Sequence, residues 1–236
     1  MSLLVFQHHV DEDTALLGSV LAAYGHQLRT VALYDGEAVP ADLDDIDGVI
    51  SMGGPMNVED AADHAWIEPE IQLLRQAHEA QLPMVGICLG CQLIATALGG
   101  QVEAMEAPEA GFADVTLSYP GTIEHLFGGV RWNTTQFHLH GQHVTKLPPE
   151  ATPLAGSSAC RTQAFAVGLR TFGFQYHFEW GRADIEKFVG DELVAKAGLS
   201  SQQITQQCDV HFDDYRHMGD RLCDNLAMLL FPVDKR

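Results

Sequence analysis

The sequence predicts an α/β fold, an open and mostly parallel sheet with helices on both faces, followed by a helical C-terminal extension. Three observations carry this expectation. Short apolar runs alternate with segments of helical period through the first half of the chain. In the second half, strand-like runs follow one another between turn residues. After Arg182 the pattern turns helical. No linker, repeat or low-complexity segment interrupts the chain, so residues 1–236 read as one domain with 183–236 as its extension.

Leu3–Gln7 reads as a strand, and Thr14–Tyr24 as a helix capped by Asp13 and stopped at Gly25. Leu28–Tyr34 is a second strand, followed by the acidic loop Asp35–Asp47 and the short buried strand Gly48–Met52. Pro69–Gln81 is a helix with Ile71, Leu74, Ala77 and His78 along one side. Pro83–Ile87 is a strand, and Gly90–Leu98 a helix ended by Gly99-Gly100. Ala113–Ser118, Gln136–His140, Thr152–Gly156, Gln163–Gly168 and Phe172–His177 are strand-like. Ser200 with Gln203 forms a capping box that opens a long helix through Leu230. In such sheets ligands bind beyond the carboxyl ends of the strands, where the chemical motifs of this chain fall.

A composition of 46% hydrophobic and 19% charged residues is that of a globular protein able to bury a core. The net charge of −19 repels phosphate backbones and anionic lipid heads, which argues against nucleic-acid and membrane partners. The N-terminus lacks a basic stretch and a cleavage site, and no apolar run approaches the roughly 20 residues of a membrane-spanning helix. Five scattered cysteines in a chain of this size need no disulfides, so the cytoplasm is the expected compartment.

Gly86-Ile87-Cys88-Leu89-Gly90 stands between a buried strand and a helix, the cysteine form of a nucleophile elbow. The glycines permit a turn too tight for side chains, and a helix N-terminus favours thiolate at Cys88. An arbitrary cysteine is more often a small buried hydrophobe, but this context favours a nucleophile. The Cys88-x-x-Cys91 spacing offers a redox-pair alternative, which would leave the flanking glycines without a purpose. A thiol nucleophile needs a base. His177 ends a strand-like run, and Glu179 two residues on points to the same side of an extended chain, where it can orient the imidazole. Attack on an amide also needs an oxyanion hole, for which the N–H of Leu89 and the loop Ser51-Met52-Gly53-Gly54-Pro55 are suited.

Together, Gly53-Gly54-Pro55, Gly86–Gln92 and Gly173-Phe174-Gln175-Tyr176-His177-Phe178-Glu179 resemble the class I, triad-type glutamine amidotransferase domain, close to stand-alone glutaminases of the GMP synthase kind. The resemblance implies a flavodoxin-like sheet, a triad of Cys88, His177 and Glu179, an oxyanion hole from Gly54 and Leu89, and no cofactor. Gln92, Gly53 and His140 would lie on the substrate side. It also implies hydrolysis of glutamine or a γ-glutamyl amide through a glutamyl thioester, with release of ammonia or an amine. Two positions depart from the family. Phe178 stands where proline is usual, and Gln142 replaces the acid of a Ser-His-Gly-Asp-like segment. His138-x-His140-x-x-His143 resembles part of a zinc motif of metallo-β-lactamase-type hydrolases, but Gln142 stands where that motif has aspartate. These histidines are therefore read as pocket-rim or surface residues, with no metal.

Without a G-x-x-x-x-G-K-[ST] loop, any synthetase using the ammonia would be a separate chain. Alternatives are a stand-alone γ-glutamyl peptide hydrolase, a redox-sensing or non-catalytic protein using Cys88 and Cys91, and a metal-dependent hydrolase.

Overall fold

The computed structural model describes residues 1–233. In chain order its main elements are β1 (Ser2–Gln7), α1 (Ala15–Ala23), β2 (Gln27–Ala32), β3 (Gly48–Ser51), α2 (Ile67–Glu79), β4 (Met84–Ile87) and α3 (Leu89–Ala97). There follow β5 (Gln101–Leu117), α4 (Tyr119–Ile123), β6 (Asn133–Lys146), β7 (Ala151–Gly156), β8 (Ala164–Val167) and β9 (Thr171–Phe174). The chain then forms α5 (Arg182–Phe188), α6 (Glu192–Lys196) and α7 (Ser201–Asn225).

The strands form one open sheet in the order β2-β1-β3-β4-β9-β8-β7-β5-β6. The first five in that order are parallel, and antiparallel pairing begins where β9 meets β8. Alternation along each strand sends its side chains to opposite faces. Leu3, Val5, Ile50, Val85 and Phe172 pack with Leu17 and Leu21 of α1 and with Leu222 and Cys223 of α7. Leu4, Phe6, Val49 and Met84 pack on the other face with Leu74 of α2 and Leu93 of α3. The fold class is thus the one expected, with helices on both faces.

The caps follow the residues except at the start of α1, where Thr14 rather than Asp13 holds the N-cap position and its side chain makes no capping bond. Asp13 accepts a hydrogen bond from the Ala15 N–H at 2.7 Å, and Gly25 takes a left-handed φ of 90° just after α1. Ser200 accepts from the Gln203 N–H while the Gln203 side chain accepts from the Ser200 N–H, which closes the capping box of α7. The last turn, Leu226–Leu230, is wound as a π-helix.

The main departure is β5 and β6. They run for 17 and 14 residues, well beyond the expected Ala113–Ser118 and Gln136–His140. Much of the first half of β5 is exposed, so it lacks the apolar alternation that marks a strand in sequence. The ribbon is covered by the C-terminal helices, where Phe112, Phe137 and Trp180 meet Ile185, Ile204 and Tyr215 in a third apolar cluster. None of the described helices is long and apolar enough to cross a membrane.

Candidate active site

Past the carboxyl ends of β1, β3 and β4 lies a cavity of about 970 Å³ whose walls include Glu12, Gly54, Cys88, Gln92 and His140. Because β4 ends at Ile87 and α3 begins at Leu89, Cys88 alone turns the chain, with φ 53° and ψ −107°. A non-glycine residue held there stores roughly 1–3 kcal/mol of strain. Hydrogen bonds from the Cys88 N–H to the Phe174 carbonyl (2.8 Å) and from the Gly90 N–H to the Met52 carbonyl (2.9 Å) hold the turn. The elbow's glycines are required by close approach: a Cβ at Gly86 would strike the Gly90 carbonyl, and one at Gly90 the Ser51 carbonyl. The Gly53-Gly54 loop abuts the elbow, since a Cβ on Gly54 would lie 2.9 Å from Leu89 Cδ2.

The strand expected to reach His177 stops at Phe174. His177 is held instead by a lone bridge to β6, its N–H donating to the Phe137 carbonyl at 2.9 Å. The imidazole is near enough to the Cys88 thiol for each to shift the other's titration, while the thiol itself donates to the Leu139 carbonyl at 3.8 Å. Its Nδ1 lies 2.8 Å from Glu179 Oε1, and Oε2 of the same carboxylate accepts from the Phe178 N–H at 2.9 Å. Trp180 stacks on the ring at 3.7 Å between centroids.

Burial works against charge on His177, but Glu179 and the Cys88 thiol together outweigh it and its pKa stands well above the ordinary value. Burial pushes the Cys88 thiol up, and His177 offsets this only in part. Burial of the thiol thus opposes the thiolate that the helix N-terminus favours. A base poised against it is correspondingly important.

The Gln92 side-chain amide donates to the Gln142 carbonyl (3.1 Å) and to Gln175 Oε1 (3.2 Å), which fixes it against the cavity wall. Gln142 turns its own amide to Glu59 at 2.6 Å. Cys91 is fully buried and its thiol is pushed well up by burial, a setting that gives no support to a solvent-facing redox pair with Cys88.

Of the three histidines read as pocket-rim or surface residues, His140 lines the cavity and His143 is half-buried, but the reading of His138 needs correction. His138 is completely buried, and His140, although it lines the cavity, is only 3% exposed. Both sit beside Glu109, with candidate donor atoms of all three within 4.8 Å of one another. Residues i and i+2 of β6 share a face, and that face here is buried as well.

Two participants escaped sequence reasoning. Glu12, in the loop after β1, packs so closely on Gly53 that a Cβ there would strike its carboxylate. Burial raises its pKa to about 7, against the opposing pull of His177. The available signal was its position just past the carboxyl end of a buried parallel strand. Trp180 lies beside the recognised His177–Glu179 pair, but nothing in its spacing marks it as a stacking partner.

A family model described as Glutamine amidotransferase class-I matches residues 11–187. The chain is 28% identical over 202 residues to the glutamine amidotransferase-like protein YfeJ of Salmonella typhimurium, covering 84% of each chain. It is 34% identical over 166 residues to a glutamine-hydrolyzing GMP synthase subunit from Halobacterium salinarum, covering 68% of this chain and 83% of that one. Among solved structures, a glutamine amidotransferase from Thermotoga maritima superposes with a TM-score of 0.84 at 20% identity, covering 97% of this chain and 98% of that one.

Proposed function

Since the chain belongs to the class I glutamine amidotransferase family, we propose that it hydrolyses the side-chain amide of glutamine or of a γ-glutamyl compound through a glutamyl thioester on Cys88. The observation that carries this reading is the elbow thiol close to His177, whose far nitrogen is bound to Glu179, at the wall of a cavity. His177 takes the thiol proton as sulfur attacks the carbonyl carbon. Gly54 and Leu89 would offer backbone N–H groups to the oxyanion. As the C–N bond breaks, His177 returns the proton to the leaving ammonia or amine. A water molecule, deprotonated by His177, then attacks the thioester; glutamate leaves and the thiol regains its proton. Gln92, Gly53 and His140 would position the substrate.

A stand-alone γ-glutamyl hydrolase is the second reading, favoured by the size and charge of the cavity. Its volume is near the upper end of the roughly 300–1,000 Å³ range of small-molecule pockets. Its walls carry Asp11, Glu12, Glu59, Glu106, Asp191 and Glu192 against Lys187 and Lys196. Such a surface suits a γ-glutamyl substrate whose amine portion carries a second, cationic group. In the ammonia-donor reading, the acceptor would be a separate synthetase chain. The five free cysteines support a reducing, cytoplasmic setting. Participation of α7 in the main core supports treating the chain as one domain.

Release of glutamate from glutamine and from a series of γ-glutamyl amines and peptides, by wild type and Cys88→Ser, tests the proposal. Thioester chemistry predicts trapping of the glutamyl group on the Cys88 peptide. Wild-type turnover by Cys88→Ser on every substrate would end the proposal. Strong activity on glutamine alone favours the ammonia-donor version, and strong activity on γ-glutamyl amines the stand-alone one.

A further inference from the structure

Glu109 of β5 is the register partner of His140 of β6, and His138 lies two residues before His140 on the same face. The three side chains converge at the cavity wall, with His138 and His140 almost wholly buried and the Glu109 side chain 9% exposed. His140 Nδ1 is 2.9 Å from the Gln142 carbonyl, which can only accept, so Nδ1 carries a proton. His140 Nε2 then faces Glu109 Oε2 at 3.2 Å. Two lone pairs do not stand at that distance without positive charge between them. His138 has no hydrogen bond at either ring nitrogen, and its Nδ1 is 3.9 Å from the same carboxylate oxygen. A proton between His140 and Glu109 would answer the first contact but leave both ring nitrogens of the buried His138 without a hydrogen bond.

One cation answers both. Tetrahedral zinc with bonds of about 2.0–2.1 Å sets its ligand atoms roughly 3.3 Å apart. The 3.2 Å contact already fits, the 3.9 Å one closes with a tilt of His138, and donor atoms of all three residues lie within 4.8 Å of one another. The surrounding bonds are those that orient metal ligands. Ser157 donates to Glu109 Oε1 at 3.0 Å, Gln163 donates to Oε2 at 2.7 Å, and His140 is fixed from behind by a backbone carbonyl. Two imidazoles and a carboxylate suit late first-row divalent ions rather than magnesium or calcium, which prefer oxygen.

We propose that Glu109, His138 and His140 form a binding site for a divalent transition-metal ion of the zinc type, with a fourth position left for water or a ligand. The site is distinct from Cys88 and stands whether or not the thioester reading holds. It meets the cavity at His140, which lines it, and through the Gln142 carbonyl, which fixes His140 and also accepts from Gln92. Occupancy would thereby stiffen the wall that carries Gln92.

Calorimetric titration of chelator-stripped protein with zinc, in wild type and in Cys88→Ser, tests this. One equivalent should bind in both with the same affinity and raise Tm. His138→Gln and Glu109→Gln should each weaken binding by at least about 100-fold. Absence of stoichiometric binding to wild type, or undiminished affinity in both folded variants, overturns the proposal. Should the variants fail to fold, X-ray absorption on zinc-loaded wild type decides. A nitrogen and oxygen shell with imidazole scattering supports the site, and a sulfur ligand overturns it.

Discussion

Phe178 donates its backbone N–H to Glu179 Oε2 at 2.9 Å, while Oε1 of the same carboxylate engages His177 Nδ1 at 2.8 Å. Each carboxylate oxygen has its own partner, so the group is fixed in position and aimed at the imidazole. A proline at this position has no N–H to give. The residue that departs from the family pattern therefore adds a hydrogen bond to the carboxylate behind the histidine.

From this arrangement Cys88→Ser and His177→Ala should each lower glutamyl-amide turnover by about 10³-fold or more, and Glu179→Ala by about 10²-fold. Glu179 acts on the imidazole and not on the substrate, and Trp180 still stacks on the ring when the carboxylate is gone. Glutamate release under saturating substrate measures the three. A Glu179→Ala defect equal to that of His177→Ala would mean that the carboxylate does more than orient.

Glu12 gives a pH signature in stability. Its carboxyl is raised from 4.5 to about 7 by burial, which His177 and His8 oppose and Glu179 and Asp191 reinforce. Between those values the folded protein holds a proton that the unfolded chain has lost. Stability therefore falls as pH rises from about 4.5 to about 7, by up to about 3 kcal/mol, and this contribution changes little above that. Glu12→Gln removes it. Urea denaturation at pH 5 and pH 8 should show a smaller loss for the variant than for wild type.

Under the Gly53-Gly54 loop, Glu70 bridges His8 Nε2 (2.8 Å) and the Ser51 hydroxyl (2.7 Å). His8 Nδ1 reaches the Met52 and Gly53 carbonyls at 3.0 and 3.1 Å. Burial opposes charge on His8, yet Glu70 outweighs it and the pKa is raised. The pair's contribution is complete below the unfolded histidine value of 6.5 and is lost as pH climbs through the higher folded value. Glu70→Ala leaves the imidazole uncompensated and should cost about 3–5 kcal/mol at pH 6, measured by urea denaturation. The penalty should shrink at alkaline pH.

How much of this was legible in the sequence depended on how local each signal was. The elbow at Cys88 and the capping box at Ser200 are contained in a few consecutive residues, and both stand where they were expected. The sheet followed from the apolar strands β1, β3 and β4, buried almost throughout. Glu12, Glu70 and Glu109 were not legible, because each meets its partners across the fold. Glu70 and His8 are 62 positions apart in the chain. The His138 side chain was misread because alternation places it opposite Phe137 and Leu139, which the C-terminal helices cover, but does not show that its own face is buried as well.

Phe178 itself provides a sharp test of the added hydrogen bond. Phe178→Pro restores the family residue but removes the N–H donor to Glu179, and it also empties buried volume against Phe174 and Tyr176. Phe178→Leu keeps the N–H and loses only part of the packing. Both variants should be destabilised, by about 1–3 kcal/mol for leucine and more for proline. Only the proline variant should also lower turnover, by about 10-fold, one hydrogen bond to a charged group being worth roughly 1.5–3 kcal/mol. Turnover at a temperature where both remain folded separates the effects. An equal loss of turnover in the two would assign the role of Phe178 to its ring rather than to its backbone.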